Sequence, residues 1–265
     1  MEPTKEGGFG AMEQWNGNYG PGILNAVFCM DRAIELADLS GISCVAIKNT
    51  NHWMRGGTYG WQAAEAGYIG ICFTNTIANL PPWGGLDPRL GNNPLVIAVP
   101  RKGGHVVLDM AISQYAVGKL QQYKSNHEEL PLPGGYDSKG NLSTDAAAIL
   151  QSKRLLPVGF WKGSGLSLVL DLWATVLSGG NSTAKITESG AESGVSQVFI
   201  CIKPNSDAQT TALIEEIIAY TKTSAPEPGG GSISYPGENT IKTRVKNLNE
   251  GVLVDERIWE EVRGL

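Results

Sequence analysis

Hydrophobic positions recur along the chain with two periods, and the period changes at glycines. From Ile23 to Leu39, Ala26, Met30, Ala33, Ile34 and Ala37 return at three- and four-residue steps, which predicts an amphipathic helix capped in the left-handed region by Gly41. "ISCVAIKN" (42–49) is a continuous apolar and β-branched run, the pattern of a strand covered on both faces. A short helix is expected from about Thr58 to Ala66, stopped at Gly67, with "YIGICFTN" (68–75) as the next strand. Residues 1–22, rich in glycine and short of apolar side chains, read as an irregular entry.

Further on, "ANLPPWGGLDPRLGNNPLVIAVP" (78–100) is a loop punctuated by proline and glycine that ends in a strand from Leu95 to Val99. "GGHVVLDMAIS" (103–113) supplies a turn and a second strand, so the two are expected to pair antiparallel. A sheet that contains hairpins as well as helical crossovers is mixed. Residues 123–160 read as loop with one helix through "AAAILQ", capped by Ser143, Thr144 or Asp145. Leu166 to Ser178 is apolar nearly all round, with Ser167, Asp171 and Thr175 as one narrow polar stripe, and predicts a buried helix ended by Gly179-Gly180. "SQVFICIKP" (196–204) is a strand, and Leu213, Ile214, Ile217 and Ile218 give the next helix an apolar face. After "APEPGGGS" (225–232) an amphipathic helix is expected near Glu256 to Val262. No internal repeat or clean linker interrupts the 265 residues, so one domain is expected over 1–265.

Composition narrows the classes. With 42% hydrophobic and 18% charged residues the chain is ordinarily globular, and a net charge of −5 without any lysine or arginine block points away from nucleic acid and anionic membranes. The four cysteines (Cys29, Cys44, Cys72, Cys201) lie in apolar runs with no metal-ligand spacing, so buried free thiols in a reducing compartment are expected and no metal site. The N-terminus has no apolar signal core, which makes the cytoplasm the expected location.

For chemistry, the first observation is negative. No G-x-G-x-x-G joins a strand to a helix, and neither a P-loop nor a G-x-S-x-G occurs. His52 is the foremost candidate, because its neighbours Asn49, Thr50, Asn51, Arg55 and Gly56 are polar or small, and an imidazole exchanges its proton near neutrality. The alternative is a loop histidine bonded to backbone. His105 reads as a turn residue and His127 as solvated. Gly163 and Gly165 before the apolar helix, with Lys162 and Trp161 beside them, could receive a phosphate, or simply make a turn. Asp109, in an apolar strand, needs either a buried donor or a ribose hydroxyl pair. Asn92, Asn93 and Pro94 line a cleft or make a tight turn.

Several stretches occur together and in order: "RAIELADLSGISCVAIKNTNHWMRGGTYGWQAAEAGYIGICFTNTIANLPPWGG", "RLGNNPLVIAVP", "VVLDMA", "YDSKGNLSTDAAAI", "RLLPVGFWKGSGLSLVLD", "SQVFICI" and "YPGE". They resemble the malate/L-lactate dehydrogenase family of the non-Rossmann type. "NHWMRGG", "PPWGG" and "FWKGSG" are most similar to the branch that reduces 2,3-diketo-L-gulonate. The resemblance implies an α/β, mixed-sheet, non-Rossmann NAD(P)-binding fold and a homodimer with its site near the subunit interface. It implies cofactor contacts at Thr76, at His105, Val106, Val107, Leu108, Asp109, Met110 and Ala111, at Trp161 and Lys162, and at Gly237, Glu238 and Asn239. It also places the general acid/base of some relatives at the position of His52.

The expected reaction is hydride transfer from NADH, rather than NADPH, to a 2-keto acid, with His52 giving or relaying the proton and Arg55 gripping the carboxylate. Oxidation of malate, lactate, sulfolactate or ureidoglycolate is the alternative within the family, and nucleotide binding without turnover the alternative outside it. Family members begin with a helical segment holding a Ser-His-Gly motif. This chain contains no Ser-His-Gly, which is the expectation for a shortened member.

Overall fold

The computed structural model describes residues 2–254 and 256–265. In chain order the elements are β1 (Thr4–Phe9), β2 (Met12–Asn16), α1 (Gly22–Ser40), β3 (Ile42–Asn51), α2 (Gly57–Glu65), β4 (Ile69–Thr74), β5 (Ala78–Leu80), β6 (Leu90–Gly91), β7 (Leu95–Val99) and β8 (Val106–Met110). There follow α3 (Val117–Asn126), β9 (Gly135–Tyr136), β10 (Leu142–Ser143), α4 (Ala146–Ser152), α5 (Trp161–Ser178), α6 (Thr183–Glu188), β11 (Ser193–Ile202), α7 (Ala208–Lys222), α8 (Glu238–Glu250) and α9 (Glu256–Arg263). They form two compact units, one of residues 1–100 and 107–205, the other of 101–106 and 206–265.

The first unit is built on a seven-stranded mixed sheet in the order β1-β2-β3-β11-β4-β7-β8. β2 and β3 are parallel, joined by the α1 crossover, whereas β11 runs antiparallel to both β3 and β4. β3 and β4 therefore point the same way, and their carboxyl ends share one edge of the sheet with the start of β11. Side chains alternate across the sheet. Val45, Ile47, Phe199 and Cys201 face α1 and α2, packing with Ala26, Met30, Ala33, Trp53 and Tyr59. Ala46, Phe73 and Val198 face Leu170 and Ala174 of α5. Burial on both faces is why these strands read as unbroken apolar runs. A satellite core of Leu80, Leu90, Leu120, Leu130, Ala146, Ile149 and Leu155 holds the segments around α3 and α4.

Three expectations are corrected. Residues 1–22 are not an irregular entry, since β1 and β2 form an antiparallel hairpin on the edge of the sheet. Their signal is polar, not apolar. Glu13, only 3% exposed, accepts from Lys5 Nζ (2.6 Å), Arg32 Nη2 (2.8 Å) and Trp15 Nε1 (3.0 Å), tying hairpin to helix. α3 escapes the hydrophobic pattern because Leu120 is its one buried residue. α5 begins at Trp161, so Gly163 and Gly165 lie inside it, and it is buried on one side only, not all round as expected. The polar stripe faces inward: Ser167 Oγ donates to Gly91 O (2.6 Å), and Asp171 Oδ1 accepts from Asn75 Nδ2 and Thr183 N–H (2.9 Å each). The apolar Leu168, Leu172, Trp173 and Val176 are exposed. Among the described residues, no helix is long and apolar enough to cross a membrane.

The Glu13 cluster makes stability pH-dependent. Arg32, then Lys5 and Trp15, hold its carboxyl down from the ordinary 4.5 to about 2, against the opposing effect of burial. A carboxyl depressed by folding contributes fully above its unfolded value and loses that contribution as pH falls through the folded one. Stability is therefore expected to drop between about pH 4.5 and pH 2, by on the order of 3 kcal/mol. In Glu13→Gln much of this acid-dependent part disappears, read from urea midpoints across that pH range.

The second unit has its own polar centre. Arg101 forks onto Glu215 (2.7 and 2.8 Å) and donates to Tyr235 Oη (3.0 Å), and Lys222 pairs with Glu238 (2.8 Å). α8 is a helix the hydrophobic pattern does not announce, because none of its residues is buried.

Candidate active site

The carboxyl ends of β3 and β4 and the start of β11 open onto a cleft of about 1100 Å³. One wall is the β3–α2 loop, His52 to Gly56, with Asp109. Facing it are Ile77, Ala78 and Asn79 after β4, then Ala111, Ile149, Leu150, Lys153 and Leu155. Glu192, the residue before β11, closes the end.

The loop alternates between core and cleft. Trp53 is 1% exposed and packs against Tyr59 and Phe199 (ring centroids 5.6 and 6.1 Å), while Tyr59 Oη donates to Trp53 O (2.7 Å). With Trp53 anchored inward, His52 stands in the cleft, its side chain 53% exposed. Met54 is left-handed (φ 63°), and that turn lets its N–H donate to His52 Nδ1 at 3.0 Å. A nitrogen that accepts from a backbone N–H carries no proton, so the neutral ring holds its hydrogen on Nε2. Nε2 lies 3.9 Å from Glu192 Oε1. Burial pushes the Glu192 carboxyl above its ordinary value, only partly offset by His52 and by the Ile77 N–H that it accepts.

Arg55 Nε is 4.0 Å from Asp109 Oδ2, which also accepts from Gly57 N–H (2.9 Å) at the start of α2. Gly57 makes this approach possible, because a Cβ there would meet Asp109 Oδ2 at 2.6 Å. Asp109 thus has the donor its strand position demands. Asn79 Oδ1, on the opposite wall, is buried without a hydrogen-bond partner.

Of the other expected residues, only some line this cleft. Thr76 is buried behind it, its N–H on Asn93 Oδ1 (3.0 Å) and its Oγ1 near Asn92 Oδ1 (3.1 Å). On β8, Asp109 borders the cleft, as does Ala111 just beyond it, whereas Val107 and Met110 pack into the cores and Leu108 is exposed. Trp161 and Lys162 stand exposed at the first turn of α5. Lys162 N–H reaches Gly159 O, and a Cβ at 163 would strike Val158 O at 2.1 Å, so that glycine serves close packing. His105, Val106, Gly237, Glu238 and Asn239 belong to the second unit. There His105 Nδ1 accepts from Arg101 N–H (3.1 Å) and Gly237, at φ 96°, caps α8.

Glu192, Asn79 and Lys153 are site residues that sequence reasoning missed. Glu192 comes beside His52 only because Ser193 pairs with Asn51 across the sheet. A strand-pairing guess for β3 and β11 is the one signal that could have found it.

Comparison with known proteins gives a consistent result. A family model described as malate/L-lactate dehydrogenase matches residues 1–263. The chain is 46% identical over 268 residues to a 2,3-diketo-L-gulonate reductase of Pasteurella multocida, covering 100% of this chain and 80% of that one. It is 44% identical over 267 residues to the protein of that name from Citrobacter koseri, covering 99% and 80%. Among solved structures, a malate dehydrogenase from Pyrococcus horikoshii superposes with a TM-score of 0.88 at 27% identity, covering 99% of this chain and 75% of that one. A sulfolactate dehydrogenase from Methanocaldococcus jannaschii does so at 0.86 and 27%, covering 98% and 76%.

Proposed function

The chain belongs to the malate/L-lactate dehydrogenase family, and we propose that within it this protein reduces 2,3-diketo-L-gulonate, at its 2-keto group, with NADH. The observation that carries this reading is the cleft: a proton-bearing imidazole and a guanidinium share one loop, in a chain 43–46% identical to reductases of that name over nearly all its length.

The residues present fit a nicotinamide. Ile77, Ala111 and Leu155 of the cleft lining would hold a nicotinamide ring, and the partnerless Asn79 Oδ1 would take the NH2 of its carboxamide. Bound there, the nicotinamide supplies hydride. His52 holds the carbonyl oxygen through Nε2–H and polarises it. Arg55 grips the substrate carboxylate with its fork, oriented by Asp109. Carry-over from the family proposes Thr76, His105 to Ala111, Trp161, Lys162 and Gly237 to Asn239 as contacts for the rest of the dinucleotide, with Asp109 toward ribose and Lys162 toward phosphate. The protein works in the cytoplasm, in keeping with its four unpaired thiols. The test is steady-state kinetics with 2,3-diketo-L-gulonate, pyruvate and oxaloacetate, each with NADH and NADPH. The highest kcat/KM is expected for the diketo acid with NADH, and failure to reduce any of the three with either cofactor defeats the reading. The likeness to malate and sulfolactate dehydrogenases supports a second reading, oxidation of a 2-hydroxy acid, which malate, lactate and sulfolactate with NAD would reveal.

A homodimer belongs to this proposal. The exposed row Leu168, Leu172, Trp173 and Val176 on α5 is an apolar face of the kind that subunit contacts cover. Light scattering is expected to give twice the 28.2 kDa chain mass, and Val176→Glu to shift it toward one.

A further inference from the structure

We propose that Glu192 is a catalytic residue of this cleft, giving its carboxyl proton to the substrate oxygen that His52 Nε2–H holds. The inference rests on the keto-acid reductase reading. It starts from a constraint on His52. Because Nδ1 accepts from Met54 N–H, the neutral ring has one proton, on Nε2, and releasing it would leave an imidazolate. Taking a second proton on Nδ1 would set two N–H groups against each other. His52 is therefore suited to polarise a carbonyl as a neutral donor, and the transferred proton needs another source.

Glu192 is placed to be that source. Its Oε1 lies 3.9 Å from Nε2, too far for a direct hydrogen bond. That separation is still short enough for one oxygen to sit about 2.8 Å from both atoms at once. A carbonyl oxygen in that seat accepts from His52 and from a protonated Glu192. The carbinol it becomes accepts from His52 and donates to the carboxylate. Glu192 lines the cleft immediately before β11, and its side chain is 28% exposed. The other charged groups of the cleft are Arg55, Asp109 and Lys153. His52 is the ionisable group within ion-pair distance of the carboxyl among the described residues.

The step balances. Hydride from the reduced nicotinamide adds to the carbonyl carbon, the C=O π pair moves to oxygen, and that oxygen takes the Glu192 proton as the carboxyl O–H breaks. The nicotinamide is left oxidised, the substrate reduced, His52 unchanged, and Glu192 a carboxylate that regains its proton from solvent at the cleft mouth.

The test compares wild type, Glu192→Gln, Glu192→Asp and His52→Gln, each checked for fold by circular dichroism. In the wild type, kcat/KM for reduction is expected to fall as pH rises through the Glu192 titration. Glu192→Gln is expected to lower kcat by about 10²- to 10⁴-fold and to flatten that limb, while Glu192→Asp retains the limb at reduced rate. A readout without turnover accompanies this: infrared difference spectra of the resting protein should show a protonated carboxyl band persisting above the ordinary glutamate range and missing from Glu192→Gln. Glu192→Gln turning over at the wild-type rate with its alkaline limb intact, or the absence of that band, overturns the proposal. If His52→Gln is also fully active, it is the assignment of this cleft as the active site that has failed.

Discussion

Replacing His52 by glutamine is expected to lower kcat for keto-acid reduction by roughly 10²- to 10⁴-fold, with a smaller change in KM. The split follows from geometry. Arg55, which binds the carboxylate in this reading, lies on the far side of the Met54 turn and keeps its own ion-pair contact with Asp109 when the ring is removed. Ground-state binding is thus largely preserved, while the hydrogen bond that strengthens as negative charge develops on oxygen is lost. The ring is half-exposed and takes one backbone hydrogen bond, so the variant should unfold at nearly the wild-type temperature. Equal losses in kcat and thermal stability would instead mean that His52 is a structural loop residue.

Truncating Phe199 to alanine is expected to have the largest effect on stability, about 3–5 kcal/mol. Phe199 lies at the centre of β11, pairs with Val45 on one side and Cys72 on the other, and has no exposed surface. Its ring makes edge contacts with Trp53 (6.1 Å) and Tyr59 (5.9 Å), the two residues that anchor the His52 loop. The resulting cavity would be walled by Trp53, whose carbonyl Tyr59 grips, and a loosened Trp53 releases the turn at Met54. The urea midpoint should therefore fall at unchanged slope, and kcat should fall too even though residue 199 does not border the cleft. A folded Phe199→Ala protein with undiminished kcat would show that the loop is held by other contacts.

How much of this could be read from the chain depended on where each signal resides. Helix α1, strands β3 and β4, and β7 are specified by local apolar periodicity, and the expected boundaries fall within a residue or two of those observed. The hairpin of β1 and β2 was illegible because its inner strand is stabilised by a buried carboxylate and two cations, and periodicity does not register ion pairs. For α5 the composition was legible and the orientation was not. Ser167 and Asp171 face inward because Gly91, Asn75 and Thr183 bring unsatisfied backbone and amide groups to them from distant segments.

The same division runs through the active site. The sequence by itself determined the mixed α/β class and the family, and it singled out the His52 loop, because a strand, a polar turn with an imidazole and a glycine-started helix are written in consecutive residues. Only the tertiary structure decided which proton His52 carries, what Asp109 binds, and that Glu192 stands beside the ring. Those facts depend on a left-handed turn at Met54 and on β11 inserting between β3 and β4, 140 residues after the loop it completes. Contacts so far apart in sequence leave no local periodicity, since the physical partner of each group is supplied by another strand.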